Sequence, residues 1–180
     1  MTKVILIVGA SGAGKDTLLR NARACFRSEN TLGFVRRYIT RPPDNNEDNF
    51  YVDESGFLLL KKSNFFLSTW AAHDKLYVIP IHSLSYVNGY KAMLCSISRT
   101  TISDFENRFT DVTTINITAR DDVLYDRLLK RGRESKRSIE ERLIRAKKPF
   151  EAKNLINFDN SSDLERSKEA FVHLLKRVSN

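Results

Sequence analysis

One segment near the amino terminus constrains the fold of this chain more than any other. Six mostly apolar residues, KVILIV (3–8), run directly into GASGAGKDT (9–17), after which leucines and alanines recur at helical spacing to about Phe26. A short β-branched run that stops at a glycine is typical of a buried parallel strand. The segment therefore predicts a strand, a glycine-rich loop and a helix, a unit from which α/β domains are built.

Apolar runs and helical stretches alternate along the rest of the chain. Further strands are predicted over 34–40, 91–97, 112–118 and 154–160, extended segments over 65–70 and 76–81, and helices over 53–62, 101–109, 121–131, 138–152 and 163–178. This alternation predicts an α/β fold with a five-stranded, mainly parallel sheet and helices on both faces. The 180 residues contain no linker or repeat, so a single domain over 1–180 is expected.

The loop at 9–17 has the spacing of a phosphate-binding loop. Its glycines and lysine match the pattern of glycine, four residues, glycine and lysine, and the flanking strand and helix are the context that this pattern requires. Glycines let successive amides point inward, and the helix amino terminus adds positive charge. We therefore predict that a nucleotide is bound by Gly9, Ala10, Ser11, Gly12, Ala13, Gly14, Lys15, Asp16 and Thr17.

Asp16 stands where such loops ordinarily carry a serine or threonine that binds Mg²⁺. A carboxylate at the end of a neighbouring strand often helps to hold the metal, but the strand predicted at 91–97 ends in SISR. Our hypothesis is that Asp16 approaches Mg²⁺ from the loop itself, directly or through water. The alternative is that its charge only stabilises the amino terminus of the helix.

The basic residues are concentrated in one segment. The net charge is +8, and residues 127–148 contribute +7 of it, from ten basic and three acidic side chains. Arg131, Arg133, Arg142 and Arg145 lie in this segment, and guanidinium groups match phosphate oxygens better than lysines do. The segment is predicted to cover a polyphosphate, with a solvated pair of charged helices as the alternative. A nucleic-acid motif is absent from the sequence, which argues against nucleic acid as the partner.

A second basic cluster, RRYITR, begins at Arg36. If this segment is a strand, Arg37 and Ile39 share one face, while Arg36 and Tyr38 share the other. Arg37, with Arg41 just beyond the strand, is then placed to bind an anionic substrate near the carboxyl ends of the sheet strands. An exposed edge strand is the alternative interpretation.

Five segments of the chain together resemble the ribose 1,5-bisphosphate phosphokinases of bacterial phosphonate metabolism, which are relatives of guanylate kinase. The segments are GASGAGKD, RYITR, WAAHDKLYVIP, SISR and RLLKRGRESKRSIEERLIRA, in this order between about Lys3 and Asn160. The resemblance implies a P-loop kinase fold with a small substrate-binding insertion at about 40–82 and an arginine-rich lid at about 131–145. It also implies transfer of the γ-phosphate of ATP, with Mg²⁺, to ribose 1,5-bisphosphate, which gives 5-phosphoribosyl 1-diphosphate.

The same resemblance implies roles for individual residues. Lys15 and Asp16 would serve ATP and Mg²⁺, and Asn160 would lie near the adenine or the closing segment. The substrate pocket would be lined by Arg37, Arg41, Tyr77, Ser98 and Arg99, and the phosphates would be covered by Arg131, Arg133 and Arg142. Because the acceptor is an ionised phosphate, catalysis is expected to depend on orientation and charge neutralisation rather than on a general base.

The chain departs from the family pattern at four positions. Val78 replaces the glycine that usually follows the pocket tyrosine, and it is expected to add bulk beside the substrate. Ser96 stands where an asparagine is commoner, and Asp74 and Lys75 replace a glycine and a leucine. These departures bear on the identity of the substrate more than on the kinase chemistry.

Guanylate kinase is the nearest alternative function. Its nucleotide-binding segment has a threonine pair that is absent here, and Asp44 occupies the place of its second arginine. A carboxylate there would repel a nucleoside monophosphate by on the order of 1 kcal/mol or more. Glu47 is the one evident candidate for guanine recognition. A non-catalytic binding module and a nucleic-acid-binding protein are further alternatives, and the intact Lys15 argues against both.

The composition is that of an ordinary globular protein, with 41% hydrophobic and 29% charged residues. Cys25 and Cys95 lack metal-ligand spacing and are expected to be reduced core residues. The first apolar stretch is too short to span a membrane and lacks the layout of a signal peptide. We therefore expect a cytoplasmic protein without a membrane partner. A homodimer is compatible with the sequence, which does not specify an oligomeric state.

Overall fold

The structure is a computed structural model that describes residues 3–42, 49–72, 74–84, 89–130, 132 and 136–180. The strands described are β1 (Lys3–Gly9), β2 (Leu32–Phe34), β3 (Tyr38–Ile39), β4 (Phe50–Tyr51), β5 (Phe66–Ala72), β6 (Lys75–Pro80), β7 (Ala92–Ser96), β8 (Val112–Thr118) and β9 (Leu155–Asp159). The helices are α1 (Lys15–Cys25), α2 (Glu54–Lys62), α3 (Ile102–Glu106), α4 (Asp121–Lys130), α5 (Lys136–Ala146) and α6 (Leu164–Ser179).

Five strands form a parallel sheet in the order β2-β7-β1-β8-β9, with β1 at its centre. Ile5 of β1 lies opposite Leu94 of β7 on one side and Thr113 of β8 on the other. The five-stranded parallel sheet predicted from the sequence is therefore confirmed. The carboxyl end of the central strand is the ligand position expected in such sheets, and here it leads directly into the glycine-rich loop.

Both faces of this sheet are covered, which explains the continuous apolar run of β1. Ile5 and Ile7 belong to a buried cluster with residues of α1 and α6, and Phe171 of α6 lies fully inside it. Leu6 belongs to a second cluster on the opposite face, together with the fully buried Phe105 of α3. Successive residues of a strand point to opposite faces, so β1 contributes to two layers of the core.

A second, mixed sheet lies between β2 and β7 in the sequence. Its order is β4-β3-β6-β5, with β3 parallel to β4 and with β6 antiparallel to both β3 and β5. Helix α2 covers one face, where Phe57 packs with Val52 and Val78. The side chain of Asp53 caps this helix by accepting a hydrogen bond of 2.7 Å from the amide of Gly56.

The segment 34–40 is not the single strand that the sequence predicted. Leu32–Phe34 pairs with β7 in the parallel sheet, whereas Tyr38–Ile39 pairs with β4 and β6 in the second sheet. The chain leaves one sheet and enters the other within these few residues. Strands of three and two residues are too short for an alternating pattern to show which sheet each one joins.

The helix predicted over 138–152 is shorter than expected. The sequence predicted a helix over 138–152 capped by Ser138, but the structure has Lys136–Ala146, with Ser138 inside the helix. Pro149 explains the earlier end, because a proline disfavours helical geometry in the residue before it and cannot continue the backbone hydrogen bonds.

The two cysteines occupy different environments. Cys95 is buried in the core, where desolvation raises the pKa of its thiol far above the ordinary value. Cys25 is exposed at the end of α1, so the expectation that it is a core residue was wrong. Neither is in a disulfide.

Within the described ranges, no helix combines the length and the apolar character needed to cross a bilayer.

Candidate active site

The glycine-rich loop joins the last residue of β1 to the first residue of α1. Gly9 packs so closely against β8 that a Cβ atom would collide with the carbonyl oxygen of Ile117. The amide of Ala13 donates to the carbonyl of Ala10 at 3.3 Å, which closes the turn. The amino-terminal amides of α1 therefore lie at the carboxyl end of the central strand, where a helix amino terminus favours an anion.

Lys15 begins α1 and folds back across the loop. Its Nζ donates to the carbonyl oxygen of Gly9 at 2.7 Å and to that of Ala10 at 3.0 Å. The ammonium group is thus held against the first two residues of the loop. To bind phosphate oxygens, the ammonium group would exchange its two hydrogen bonds to main-chain carbonyls for hydrogen bonds to the phosphate.

Asn160 hydrogen-bonds to the main chain of the glycine-rich loop. It directly follows β9, is 2% exposed, and its Nδ2 donates to the carbonyl oxygen of Ala13 at 2.7 Å. Its own carbonyl accepts a hydrogen bond of 2.9 Å from Nη2 of Arg127 in α4, and its amide donates to Thr118 at 2.8 Å. Within the described part of the chain, its buried Oδ1 has no hydrogen-bond partner. Asn160 therefore contacts the loop main chain, near the predicted nucleotide site.

Replacement of Gly14 by alanine is expected to damage both the loop and nucleotide binding. Gly14 has φ of +89° and touches Asn160 so closely that a Cβ atom would collide with Nδ2. We expect a loss of about 1–3 kcal/mol in stability together with weaker ATP binding. Thermal unfolding and calorimetric titration with ATP measure the two effects.

Gly89→Ala is a matched control for this substitution. Gly89 also has a positive φ, +100°, but among the described residues the atom nearest to a Cβ there would belong to Asn30, at 3.9 Å. If Gly14→Ala loses no more stability than Gly89→Ala and binds ATP as the unmodified protein does, the proposed support of the loop by Asn160 is wrong.

Helix α5 reaches over the loop. Nη1 of Arg142 donates to the hydroxyl oxygen of Ser11 at 2.7 Å, although the two residues are 131 positions apart in the sequence. Ile139, on the same helix, is fully buried and attaches α5 to the rest of the domain. The structure thus brings together Arg142 and the loop, as the prediction of a lid requires. Arg131 and Arg133, the other two predicted lid residues, lie outside the described residues.

A stack of three side chains lies in the second sheet. The guanidinium carbon of Arg37 is 5.5 Å from the ring centroid of Tyr77, and Tyr77 stacks on Trp70 with centroids 5.3 Å apart and planes at 6°. Nε of Arg37 also donates to Oδ1 of Asn49 at 3.3 Å. A cation above an aromatic ring is held by the electrons of the ring face. Two of the predicted substrate residues, Arg37 and Tyr77, are therefore in contact.

Arg36 points to the other face of the second sheet, as the alternation in the sequence predicted. Its guanidinium carbon is 5.4 Å from the ring centroid of Phe50, which packs against Tyr38 at 5.0 Å. The prediction of the two faces is correct even though 36 and 37 precede the strand. Arg41 follows β3 by two residues and is partly buried.

Val78 does not share a face of β6 with Tyr77, the tyrosine that is predicted to line the substrate pocket. It is fully buried and packs with Phe57 under α2, whereas Tyr77 points to the opposite face with Trp70. Neighbouring residues of a strand point in opposite directions, which separates Val78 from the stack. The bulk that this valine adds fills the core of the second sheet.

Ser98 and Arg99 follow β7 and have separate roles in the structure. The hydroxyl of Ser98 caps a short 3₁₀ turn by accepting from the amide of Thr100. The guanidinium of Arg99 donates to the carbonyl oxygen of Ala146 at 2.7 Å and to Oδ1 of Asn116 at 3.0 Å. Its Cζ lies 4.8 Å from the ring centroid of Phe150. Desolvation in this half-buried position lowers the pKa of Arg99.

The residues around the loop fit a bound magnesium ion in part. Asp16 is the second residue of α1 and remains partly exposed, so its carboxylate is accessible beside the loop. Ser96 ends the neighbouring strand, and its buried hydroxyl has no hydrogen-bond partner among the described residues. Across those residues, no group of three acidic, cysteine or histidine side chains is arranged to hold a metal alone. A magnesium ion would therefore depend on Asp16 and on the nucleotide phosphates.

Three contributors to the site were not found from the sequence. Arg127 supports Asn160, Trp70 supports Tyr77, and Asn116 holds Arg99. The sequence feature that could have drawn attention to Arg127 was its position in the basic segment 127–148. Trp70 was expected to be a core residue, and Asn116 stands in an apolar strand without any feature that marks it. The contacts of Arg127 and Asn116 join residues 33 and 17 positions apart, and that of Trp70 joins paired residues of β5 and β6.

A phosphate-binding loop at the end of a central parallel strand, a basic helix above it and a small second sheet beside it define a P-loop kinase with the guanylate kinase-like fold. Guanylate kinase from Anaplasma phagocytophilum is similar in structure over 98% of this chain and 85% of that chain, with a TM-score of 0.61 and 16% identity. An unliganded sugar kinase from Janibacter is similar over 100% and 99%, with a TM-score of 0.54 and 16% identity.

Within this class, the chain belongs to the ribose 1,5-bisphosphate phosphokinase family. The ribose 1,5-bisphosphate phosphokinase PhnN of Brucella melitensis is 34% identical over 178 residues, which cover 97% of this chain and 92% of that protein. The protein of the same name from Acidiphilium cryptum is 35% identical over 97% of this chain and 93% of its own length. No protein-family model matches the chain. The resemblance identified in the sequence is therefore confirmed.

Proposed function

We infer that this protein transfers the γ-phosphate of ATP to the 1-phosphate of ribose 1,5-bisphosphate, giving 5-phosphoribosyl 1-diphosphate and ADP. Membership of the family makes it a phosphotransferase, and the name of relatives that match nearly the whole chain supports the acceptor. The observation that carries the inference is the loop itself, with Lys15 against its first two residues and Arg142 above it. Non-catalytic modules of this fold tend to lose the loop lysine and the cover arginines, so this pair favours a kinase over a binding module.

We propose that the loop binds the phosphates of ATP through its amides and Lys15. The helix amino terminus and the ammonium group neutralise charge that collects on the bridging oxygen as its bond to the γ-phosphorus breaks. Arg142 and, in the part of the lid that the structure does not describe, Arg131 and Arg133 are proposed to neutralise the transferred group. Asn160 keeps the loop in shape for this purpose through Ala13.

We propose that the acceptor lies between the loop and the second sheet. Arg37 and Tyr77 are proposed to bind its phosphate groups, with Arg41 and Ser98 at the edge of the same pocket. An ionised phosphate oxygen of the acceptor forms the new bond to the γ-phosphorus, so no proton has to be removed. The task of the protein is then to align two anions that repel each other, which arginines and Mg²⁺ accomplish by neutralisation.

Asp16→Asn is expected to raise the Mg²⁺ concentration needed for half-maximal activity by about tenfold, because a charged metal contact is lost. The amide is nearly isosteric, so folding is expected to be retained. Initial rates measured across a Mg²⁺ series at saturating ATP test this expectation. Magnesium would supply charge neutralisation between the nucleotide phosphates when bound.

Asp122→Asn distinguishes the two interpretations of Asp16. Asp122 also lies in the first turn of a helix, α4, and accepts a hydrogen bond from Nε of Arg120, but it is exposed and lies more than 100 positions after the loop in the sequence. If Asp16 merely stabilises a helix terminus, both variants will show an unchanged Mg²⁺ dependence. That result would remove Asp16 from the metal site.

The proposed function is tested by ADP formation with purified protein and ATP. Ribose 1,5-bisphosphate and GMP are supplied in parallel, each with and without Mg²⁺. We expect ADP with the ribose bisphosphate and Mg²⁺, and 5-phosphoribosyl 1-diphosphate as the second product. Faster turnover of GMP would show that the protein is a guanylate kinase. Asp44 and Glu47, on which that alternative depends, lie outside the described residues.

We further propose that the reaction takes place in the cytoplasm. ATP is the donor, and both cysteines of the chain are free thiols, which is usual for a reducing compartment.

A further inference from the structure

Arg99 connects the end of β7 to the end of the lid helix α5. Its guanidinium group donates through Nη1 to the carbonyl oxygen of Ala146, the last residue of α5, at 2.7 Å. The final carbonyls of a helix have no partner inside the helix and carry partial negative charge. A half-buried cation that binds one of them stabilises this end of the helix and fixes its position.

Two further contacts hold the guanidinium group itself in place. Nη2 donates to Oδ1 of Asn116 in β8 at 3.0 Å, and Nδ2 of Asn116 in turn donates to Oδ1 of Asn157 in β9 at 2.9 Å. Asn116 is 6% exposed, so the middle member of this row lies in the interior, between the half-buried Arg99 and the exposed Asn157. On the other side, the ring of Phe150 lies 4.8 Å from the guanidinium carbon and packs against the core. The segment after α5 is thereby attached to the same arginine.

Helix α5 is thus tied to the domain at two points that lie one turn apart. Arg142 precedes Ala146 by four residues, and its Nη1 reaches Ser11 of the glycine-rich loop at 2.7 Å. Residues four apart lie on the same face of a helix. If the end at Ala146 were to move, the guanidinium group of Arg142 would move with it relative to the loop.

We propose that Arg99 is a positioning residue that holds the carboxyl end of α5 so that Arg142 meets the phosphates over the loop. This inference rests on the proposed function, because that function is what gives Arg142 phosphates to bind. It differs from the substrate-binding role that the family resemblance implies for Arg99. As a substrate ligand, the guanidinium group would have to leave Ala146 and Asn116, and its half-buried position behind the helix end favours the structural contacts.

The first experiment measures amide hydrogen exchange of residues 136–146 in the ligand-free protein. Arg99→Lys keeps the charge but loses the planar fork that serves Ala146 and Asn116 together. We expect exchange in this helix to be about tenfold faster, as loss of one hydrogen bond to a charged group implies. Arg108→Lys, at an exposed arginine beyond α3, is the matched control and is expected to leave the exchange unchanged.

The second experiment compares the kinetic constants of the same two variants. For Arg99→Lys we expect kcat to fall by about tenfold and the KM for the acceptor to change by less than about twofold, since a positioning defect acts on the transition state. An acceptor KM raised by about tenfold or more, or unchanged exchange in α5, overturns the proposal. Exchange is measured without ATP or acceptor, so its outcome does not depend on whether the proposed function is correct.

Phe150→Leu provides a second variant if Arg99→Lys does not fold. It leaves Arg99 in place and removes only the aromatic face beneath the guanidinium group. We expect a smaller change in the same direction, with faster exchange in α5 and an acceptor KM close to that of the unmodified protein. Unchanged exchange in a folded Phe150→Leu protein counts against the proposal.

Discussion

Lys15→Ala is expected to lower kcat by roughly three orders of magnitude while the domain remains folded. The ammonium group lies against the first two residues of the loop, 2.7 Å from the carbonyl oxygen of Gly9 and 3.0 Å from that of Ala10. No other lysine belongs to the loop segment. Loss of one preorganised donor to the developing charge costs a factor of about 10² to 10³, and here a full positive charge is lost as well.

The fold is expected to tolerate this substitution. The side chain is only partly buried, and its two hydrogen bonds to main-chain carbonyls are partly buried as well, so the loss of stability is about 1 kcal/mol. Single-turnover rates together with thermal unfolding measure the two effects separately. Lys91→Ala, at an exposed lysine near the amino end of β7, is the control. Near-normal turnover of Lys15→Ala would contradict the assignment of the loop as the phosphate site.

Arg142→Ala is expected to lower kcat by about 10²-fold, with little effect on the binding of ATP in the absence of acceptor. Its guanidinium group is the described lid group that reaches the loop, through Ser11. Because the transferred phosphoryl group carries charge on three oxygens, a bidentate cation contributes more at the transition state than in the ground state. Arg142→Lys is expected to recover only part of the rate, since an ammonium group cannot donate in a fork.

Arg137→Ala is the matched control on the same helix. Its side chain is 90% exposed and pairs with Glu141 one turn along, so its removal is expected to change neither rate nor stability appreciably. Steady-state and pre-steady-state rates of ADP formation compare the variants. If Arg142→Ala and Arg137→Ala are equally active, the contact between α5 and the loop has no part in catalysis.

The division of work in this site follows from the charges of the reactants. Donor and acceptor are both polyanions, so the barrier to bringing them together is electrostatic. The loop amides and Lys15 lie at the junction between β1 and α1, Arg37 directly precedes β3 of the second sheet, and Arg142 belongs to α5. The positive charge proposed for the site therefore comes from three different parts of the domain. A cover that closes only when both substrates are bound suits this chemistry.

Local pattern was enough for several features. The nucleotide loop was recognisable because Gly9 to Lys15 are consecutive and the strand and helix around them are strongly periodic. The same holds for β8, predicted over 112–118 and found as Val112–Thr118. The two faces of the segment around Arg36 and Arg37 followed from simple alternation. In each case the information lies within about ten residues, the range over which backbone geometry repeats.

Contacts between distant segments were outside the reach of such patterns. The exchange of sheets between Phe34 and Tyr38, the burial of Val78 under α2 and the hold of Arg99 on Ala146 each depend on which elements meet in space. The backbone preferences of a valine or an arginine are the same on either face of a strand and beyond its end. They therefore do not show which other element the side chain will contact.

The sequence by itself determined the class of fold, the phosphate-binding loop and the family, because these are written in short contiguous segments whose order is preserved. Only the tertiary structure decided which arginine contacts the loop, which one contacts the end of α5 and which face of β6 carries Tyr77. Arg99 and Ala146 are 47 positions apart, and Arg142 and Ser11 are 131 apart. Such pairs are formed by packing of the whole domain, and the free energy of that packing is not visible in any local stretch of the chain.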